Sequence, residues 1–141
     1  MSALGTSGPG APRQRVPSGT PWDAAFGYSR AVRVGPHVAV AGTTATDADG
    51  NVVAPGDAYA QTAYAIGKVE AALAAVGAGL GDVVRTRLFV TDISQWEAVG
   101  RAHREAFADV CPAATMVEVA RLIAEGLVVE IEADAVVLDG G

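Results

Sequence analysis

Residues 111–138 read CPAATMVEVARLIAEGLVVEIEADAVVL, and the choice of fold turns on them. Two alternating runs, 114–122 and 127–138, flank a short link that contains Gly126. In the second run Leu127, Val129, Ile131, Ala133, Ala135 and Val137 share one face, and Val128, Glu130, Glu132, Asp134 and Val136 share the other. A period of two is that of a half-buried strand, and two such runs joined by a short link predict a β-hairpin. In the first run Thr115, Val117 and Val119 alternate with Met116, Glu118 and Ala120. Glu118, Glu130, Glu132 and Asp134 therefore stand on strands whose opposite faces are apolar. Two readings fit them: a solvated sheet face or rim, or a carboxylate that lines a cleft formed with another subunit.

Composition narrows the classes of function. A chain of 141 residues fits one domain with a real core. Half of it is hydrophobic and only 6% aromatic, which favours closely packed helices and β-branched strands. Net charge is −6 and the ten Lys and Arg are scattered, whereas a nucleic-acid binder needs a clustered basic surface. Cys111 is the single cysteine, so no intrachain disulfide framework exists. No apolar run approaches the ~18 residues of a membrane span, and no charged-then-apolar leader opens the chain. A soluble cytoplasmic protein with no nucleic-acid and no membrane partner is expected.

Residues 1–21 are rich in Gly, Pro, Ser and Ala, and such a segment buries too little to offset its ordering entropy. A flexible extension is expected there, followed by one domain over 22–138. Two short strands, 28–34 and 37–41, meet across Gly35-Pro36, and extended chain continues to 46. Residues 47–56 form a loop; its DADG resembles the start of a calcium loop but lacks the downstream glutamate, so no metal is expected. Asp57 caps a helix over 58–76, with Tyr59, Ala63, Ile66, Val69, Leu73 and Val76 on one stripe. The glycines at 77, 79 and 81 stop it. A strand over 83–91 puts Val84, Thr86, Leu88 and Val90 on one face and Arg85, Arg87 and Phe89 on the other. Ser94 and Glu97 predict a capping box for a second helix reaching about 110. The order is β-β-α-β-α-β-β, an α+β domain whose helices share one face of a mixed sheet. Its other sheet face is left for self-association to cover.

This order carries motifs that resemble the Rid family (YjgF/YER057c/UK114, also called endoribonuclease L-PSP). Gly27-Tyr28-Ser29-Arg30-Ala31-Val32 is similar to the family's G-P-Y-S-Q-A-V opening, with Gly27 for proline, and Ala41-Gly42 stands for its Ser-Gly. Gln61-Thr62 and VVRTRLFVTD at 83–92 match in kind. The most specific match is PAATMVEVARL at 112–122, followed by VEIEA at 129–133. The resemblance implies a homotrimer of chorismate-mutase-like domains around a central β-barrel, with ligand clefts between subunits. It implies hydrolysis of 2-aminoacrylate and related enamines or imines to keto acids and ammonia, with no cofactor. In active members an arginine after the Pro-Ala pair grips the substrate carboxylate through a bidentate contact. A tyrosine, a backbone amide and a glutamate on the last strand help to place substrate and water.

Here the arginine's position is Ala114, the serine's is Ala41, and an early asparagine of the second helix corresponds to Gly100; Tyr28 and Glu130 remain. A charge-assisted hydrogen bond contributes ~1.5–3 kcal/mol, so its loss costs about ten- to hundredfold in binding. A methyl group cannot hold a carboxylate. The resemblance thus implies a pocket with a non-archetypal carbonyl, enamine or imine ligand. Glu130 and Tyr28 are the candidate catalytic residues, and Ala114, Thr115, Met116, Phe89 and Gly42 the candidate ligand-binding ones.

Several residues stay open between two uses. Glu130 orients water or is a solvated strand residue; Tyr28 offers its hydroxyl to a ligand or packs at a subunit edge. Met116 and Phe89 wall a pocket or fill the core, and Arg85 and Arg87 face the pocket or pair with carboxylates on neighbouring strands. Cys111 has no histidine beside it in sequence to lower its pKa, and packing suits His37 and His103 better than base catalysis. Two functions compete with an imine deaminase: a non-catalytic metabolite-binding or scaffold trimer, and an endoribonuclease, which the acidic charge opposes.

Overall fold

The computed structural model describes residues 13–138. Along the chain it forms β1 (Arg13–Val16), α1 (Trp22–Phe26), β2 (Ala31–Val34), β3 (His37–Thr44), α2 (Ala58–Ala74), β4 (Val83–Val90), α3 (Trp96–Phe107), β5 (Ala113–Glu118) and β6 (Val129–Val136). The strands make one six-stranded mixed sheet in the order β1-β2-β3-β6-β4-β5. It is an α+β fold, with α2 packed on β3 and β6 and α3 beside α2.

β6 anchors the core. Val129, Ile131, Ala133 and Ala135 are buried toward the helices, as the period of two requires. The helix laid across them is cut to fit. Asp57 accepts a hydrogen bond from the Ala60 N–H at 3.0 Å, and α2 turns Ala58, Ala65, Ile66, Val69, Ala72 and Leu73 inward. The buried stripe thus passes between Tyr59 and Ala63, which stay toward solvent or partly exposed. No helix of the described residues is long and apolar enough to cross a membrane.

The expected hairpin does not form. β5 runs parallel to β4 on the sheet edge, and β6 lies antiparallel between β3 and β4. The reason is α3, whose crossover returns the chain parallel to β4. That leaves a central slot which only β6 can fill with hydrogen bonds on both sides. Alternation in sequence reports which way side chains point, not which strand lies alongside.

Three further expectations change. Residues 13–16, expected to be flexible, pair antiparallel with β2, and the Arg30 N–H donates to the Val16 carbonyl at 2.7 Å. The open edge of β2 supplies backbone bonds that need no apolar side chains; residues 1–12 of that expectation lie outside the described residues. Val84 is 49% exposed because the register slips between Val83 and Arg85, a bulge that turns it outward. Ser94 belongs to a 3₁₀ turn, Ile93–Gln95, where Asp92 accepts from both its N–H (3.0 Å) and its hydroxyl (2.7 Å), so α3 starts later and without the capping box.

Gln61 is the polar pin of the core. It is 0% exposed, its Nε2 donates to the carbonyls of Ala54 (3.1 Å) and Gly126 (2.7 Å), and its Oε1 accepts from the Val128 N–H at 2.9 Å. One side chain thereby ties α2 to two loops and the start of β6. Removing it strands three backbone groups, each costing about 1–3 kcal/mol when left without a partner. Gln61→Leu is expected to lower stability by about 3 kcal/mol in equilibrium urea unfolding; a loss under about 1 kcal/mol would show that the loops hold without it.

Candidate functional site

On the face away from the helices, β6 carries Glu130, Glu132 and Asp134 opposite Phe89, Arg87 and Arg85 of β4. The arginines do not serve the three acids equally. Arg87 Nη1 lies 3.3 Å from both Glu132 and Asp134, and Arg85 lies 4.0 Å from Asp134. Glu118 is spent elsewhere, accepting from the Ile93 N–H at 2.9 Å ahead of α3. Glu130 has no cation within 4.0 Å among the described residues, although it is half-buried. Burial, and next the negative charge of Glu132, push its carboxyl above the ordinary 4.5, with Arg30 acting in the opposite sense. Ion pairing thus accounts for Glu132 and Asp134 as structural, and leaves Glu130 as the acid in need of another role.

A bulge makes room for it. Between the Val40 and Thr43 pairings β3 slips against β6, and Ala41 and Gly42 fill the slip. A β-carbon on Gly42 would overlap the Glu130 carboxylate, so only glycine lets that side chain lie across the strand. Arg30, just before β2, braces the same spot. Its Nη1 donates to the Gly42 carbonyl (2.9 Å) and Thr43 Oγ1 (2.7 Å), and its Nη2 donates to the Tyr28 hydroxyl (2.7 Å). Lys68, the only lysine, reaches from α2 to the carbonyls of Thr44 (2.8 Å) and Thr46 (2.9 Å). Burial and then the Arg30 charge lower its proton affinity, with Asp47 opposing.

Tyr28, Gly42 and Glu130 therefore come together, with Phe89 beside Glu130 in the strand register. Ala114 and Met116 do not join them. They pair with the inward residues Thr86 and Leu88 at the β5 edge, whereas Thr115 pairs with Arg87 and shares the Glu130 face. β5 stands three strands from β3, about 14 Å at the usual spacing of ~4.8 Å. In one copy of the chain, Ala114 and Met116 thus lie apart from Tyr28 and Gly42.

The remaining candidates have structural duties. His103 shares a 2.9 Å hydrogen bond with buried Thr86 and packs on Phe107, and burial lowers its pKa from 6.5. Cys111 is exposed, at a backbone φ of 49°, with its thiol donating to the Ala108 carbonyl. Asp47 closes its loop by accepting from the Asp49 and Asn51 N–H groups. Sequence reasoning passed over Arg30 and Lys68. The signal for Arg30 was present: it occupies the glutamine position of the G-P-Y-S-Q-A-V pattern.

Comparison with known proteins agrees with this architecture. The family model described as Endoribonuclease L-PSP matches residues 19–137. A crystal structure from Mycobacterium tuberculosis, described as a member of the highly conserved YjgF/YER057c/UK114 family, superposes with a TM-score of 0.80 at 54% identity, covering 89% of this chain and 99% of that one. An uncharacterized protein of Streptomyces coelicolor is 42% identical over 122 residues, 86% of this chain and 90% of the relative. The 2-iminobutanoate/2-iminopropanoate deaminase of Escherichia coli is 36% identical over 85 residues, 58% of this chain and 66% of that protein. The chain belongs to the endoribonuclease L-PSP family, the YjgF or Rid family.

The Glu130 shift fixes a pH dependence. A carboxyl held more tightly protonated in the folded than in the unfolded chain contributes stability below its unfolded pKa, and loses it as pH rises through the folded value. Glu130→Gln is expected to unfold at a higher temperature than wild type at pH 7, with the gap closing by pH 4, below the ordinary 4.5. A variant less stable than wild type at pH 7 would mean that the ionised carboxylate makes favourable contacts in the folded chain.

Proposed function

We propose that three copies of the chain assemble and that each seam between copies holds a small-molecule site for a carbonyl, enamine or imine metabolite. Tyr28, Gly42 and Glu130 of one copy form one wall; the β5 edge of the next, at Ala114, Thr115 and Met116, forms the other. The division of these residues between two distant parts of the sheet supports this reading, because a second copy is the simplest way to bring the halves together.

The chemistry suited to the cluster is hydrolysis of a C=N bond. Glu130 takes a proton from water as its oxygen bonds to the imine carbon. Glu130 returns that proton to the nitrogen, then moves the proton of the new hydroxyl to it as well, so that the C–N bond breaks with ammonia leaving as the C=O bond forms. A general base works best when its pKa approaches the working pH. The observation that carries the proposal is therefore Glu130 itself: half-buried, raised in proton affinity and without an ion-pair partner among the described residues. The likeness to the Escherichia coli deaminase agrees with it.

A second reading, a trimer that binds a metabolite without turning it over, is favoured by the methyl group of Ala114. Ammonia release from 2-iminopropanoate generated in situ separates the two. The deaminase reading expects release above the buffer rate, a loss of about 100-fold or more in Glu130→Gln and a gain in Ala114→Arg. No acceleration by wild type or by Ala114→Arg would leave the binding trimer as the function.

A further inference from the structure

Arg30 stands just before β2 and is braced against the β3 bulge. Its guanidinium is half-buried, yet its recorded partners are all neutral oxygens: the Gly42 carbonyl, Thr43 Oγ1, the Tyr28 hydroxyl and, at 3.5 Å, the Ala41 carbonyl. Among the described residues no carboxylate lies within 4.0 Å of it, nor of Arg33, which bonds to the Gly35 and Val76 carbonyls, whereas Arg85 and Arg101 each have one and Arg87 has two. Lys68, close enough to be felt electrostatically, also bonds only to neutral oxygens. Two partly buried cations thus share one corner with Glu130, with Asp47 within electrostatic reach of Lys68 and Asp23 within that of Arg30.

The bonding also leaves a defined vacancy in donors. A guanidinium has five N–H bonds. Three go to Gly42, Thr43 and Tyr28, which leaves Nε–H and one Nη2–H without a partner among the described residues; with Tyr28 on the Nη2–H that faces away from Nε, this pair is the side-on fork that matches two carboxylate oxygens. Because the Tyr28 oxygen accepts from Arg30, its own proton is free to be donated to the same ligand.

We propose that Arg30 is the anion-binding residue of the seam site, and that the ligand is a small carboxylate held by the Arg30 fork and the Tyr28 hydroxyl. It rests on the site proposed above, and turns the ligand so that its carboxylate lies toward β2 and β3, away from the uncharged Ala114. Arg30 then determines specificity, while Glu130 addresses the carbon next to the carboxylate.

The test uses two probes, 2-oxobutanoate and the neutral ketone butanone, titrated calorimetrically into the full chain. Wild type is expected to prefer 2-oxobutanoate at least tenfold. Arg30→Gln is expected to lose that preference by about ten- to hundredfold, the range of charge-assisted bonds. Arg30→Lys, which keeps the charge and a bond to Gly42 but not the fork, is expected to fall between, and it serves if the glutamine variant does not fold. Ala114→Arg in the Arg30→Gln background is expected to restore binding of 2-oxobutanoate. If either Arg30 variant binds 2-oxobutanoate as wild type does, Arg30 is not the anchor and the seam site stands without it. If no probe binds wild type or any variant, the seam site fails, and the assignment of Arg30 with it.

Discussion

β6 has to satisfy two surroundings at once, and the rest of the molecule follows from how it does so. Its inward side chains, Val129, Ile131, Ala133 and Ala135, are buried under α2. Its outward ones, Glu130, Glu132 and Asp134, are acids on the face away from the helices. Lying between β3 and β4, the strand cannot turn those acids toward a sheet edge. Each must find a cation beside it or remain without one. Arg85 and Arg87 settle the matter for Asp134 and Glu132.

What is left over is shaped by backbone irregularity. The slip of β3 at Ala41-Gly42 removes one pairing and one β-carbon where Glu130 has to lie. Arg30 then holds the bulge by its carbonyl oxygens, and its bond to Tyr28 sets the hydroxyl that the sequence marked out. A bulge re-aims side chains at the cost of ladder bonds, and here the guanidinium replaces those bonds. The same residues therefore explain both local stability and the chemistry available. The bulge near Val84 does neither: it turns an apolar side chain outward on β4.

The legible parts of the fold were those written in local pattern. The period of β6, the Asp57 cap and the helix it opens could be read directly, because each depends on neighbours within a few residues. The place of β5 could not, since its partner is chosen by the crossover of α3 rather than by its own alternation. Neither could the pairing of residues 13–16, where composition argues for disorder but an open strand edge supplies the bonds. For the candidate site, family motifs pointed to Tyr28, Gly42 and Glu130, and in the structure these three lie together. Arg30 was overlooked because it stands inside a matching motif, where the eye follows the agreements. Its importance comes from contacts with Gly42 and Thr43, more than ten residues away.

The uncovered face joins these threads. Val32, Val34, Ala39, Phe89 and Val117 share it with the acids and arginines, and Val34 and Val117 remain 40% and 43% exposed. A face of this kind, beside a site whose two halves lie strands apart, gives the proposed trimer its physical basis. Sedimentation equilibrium at micromolar concentration tests that directly. The account predicts a single species of three times the 14.2 kDa chain mass; a species of 14.2 kDa, with both halves of the site left apart, would contradict it.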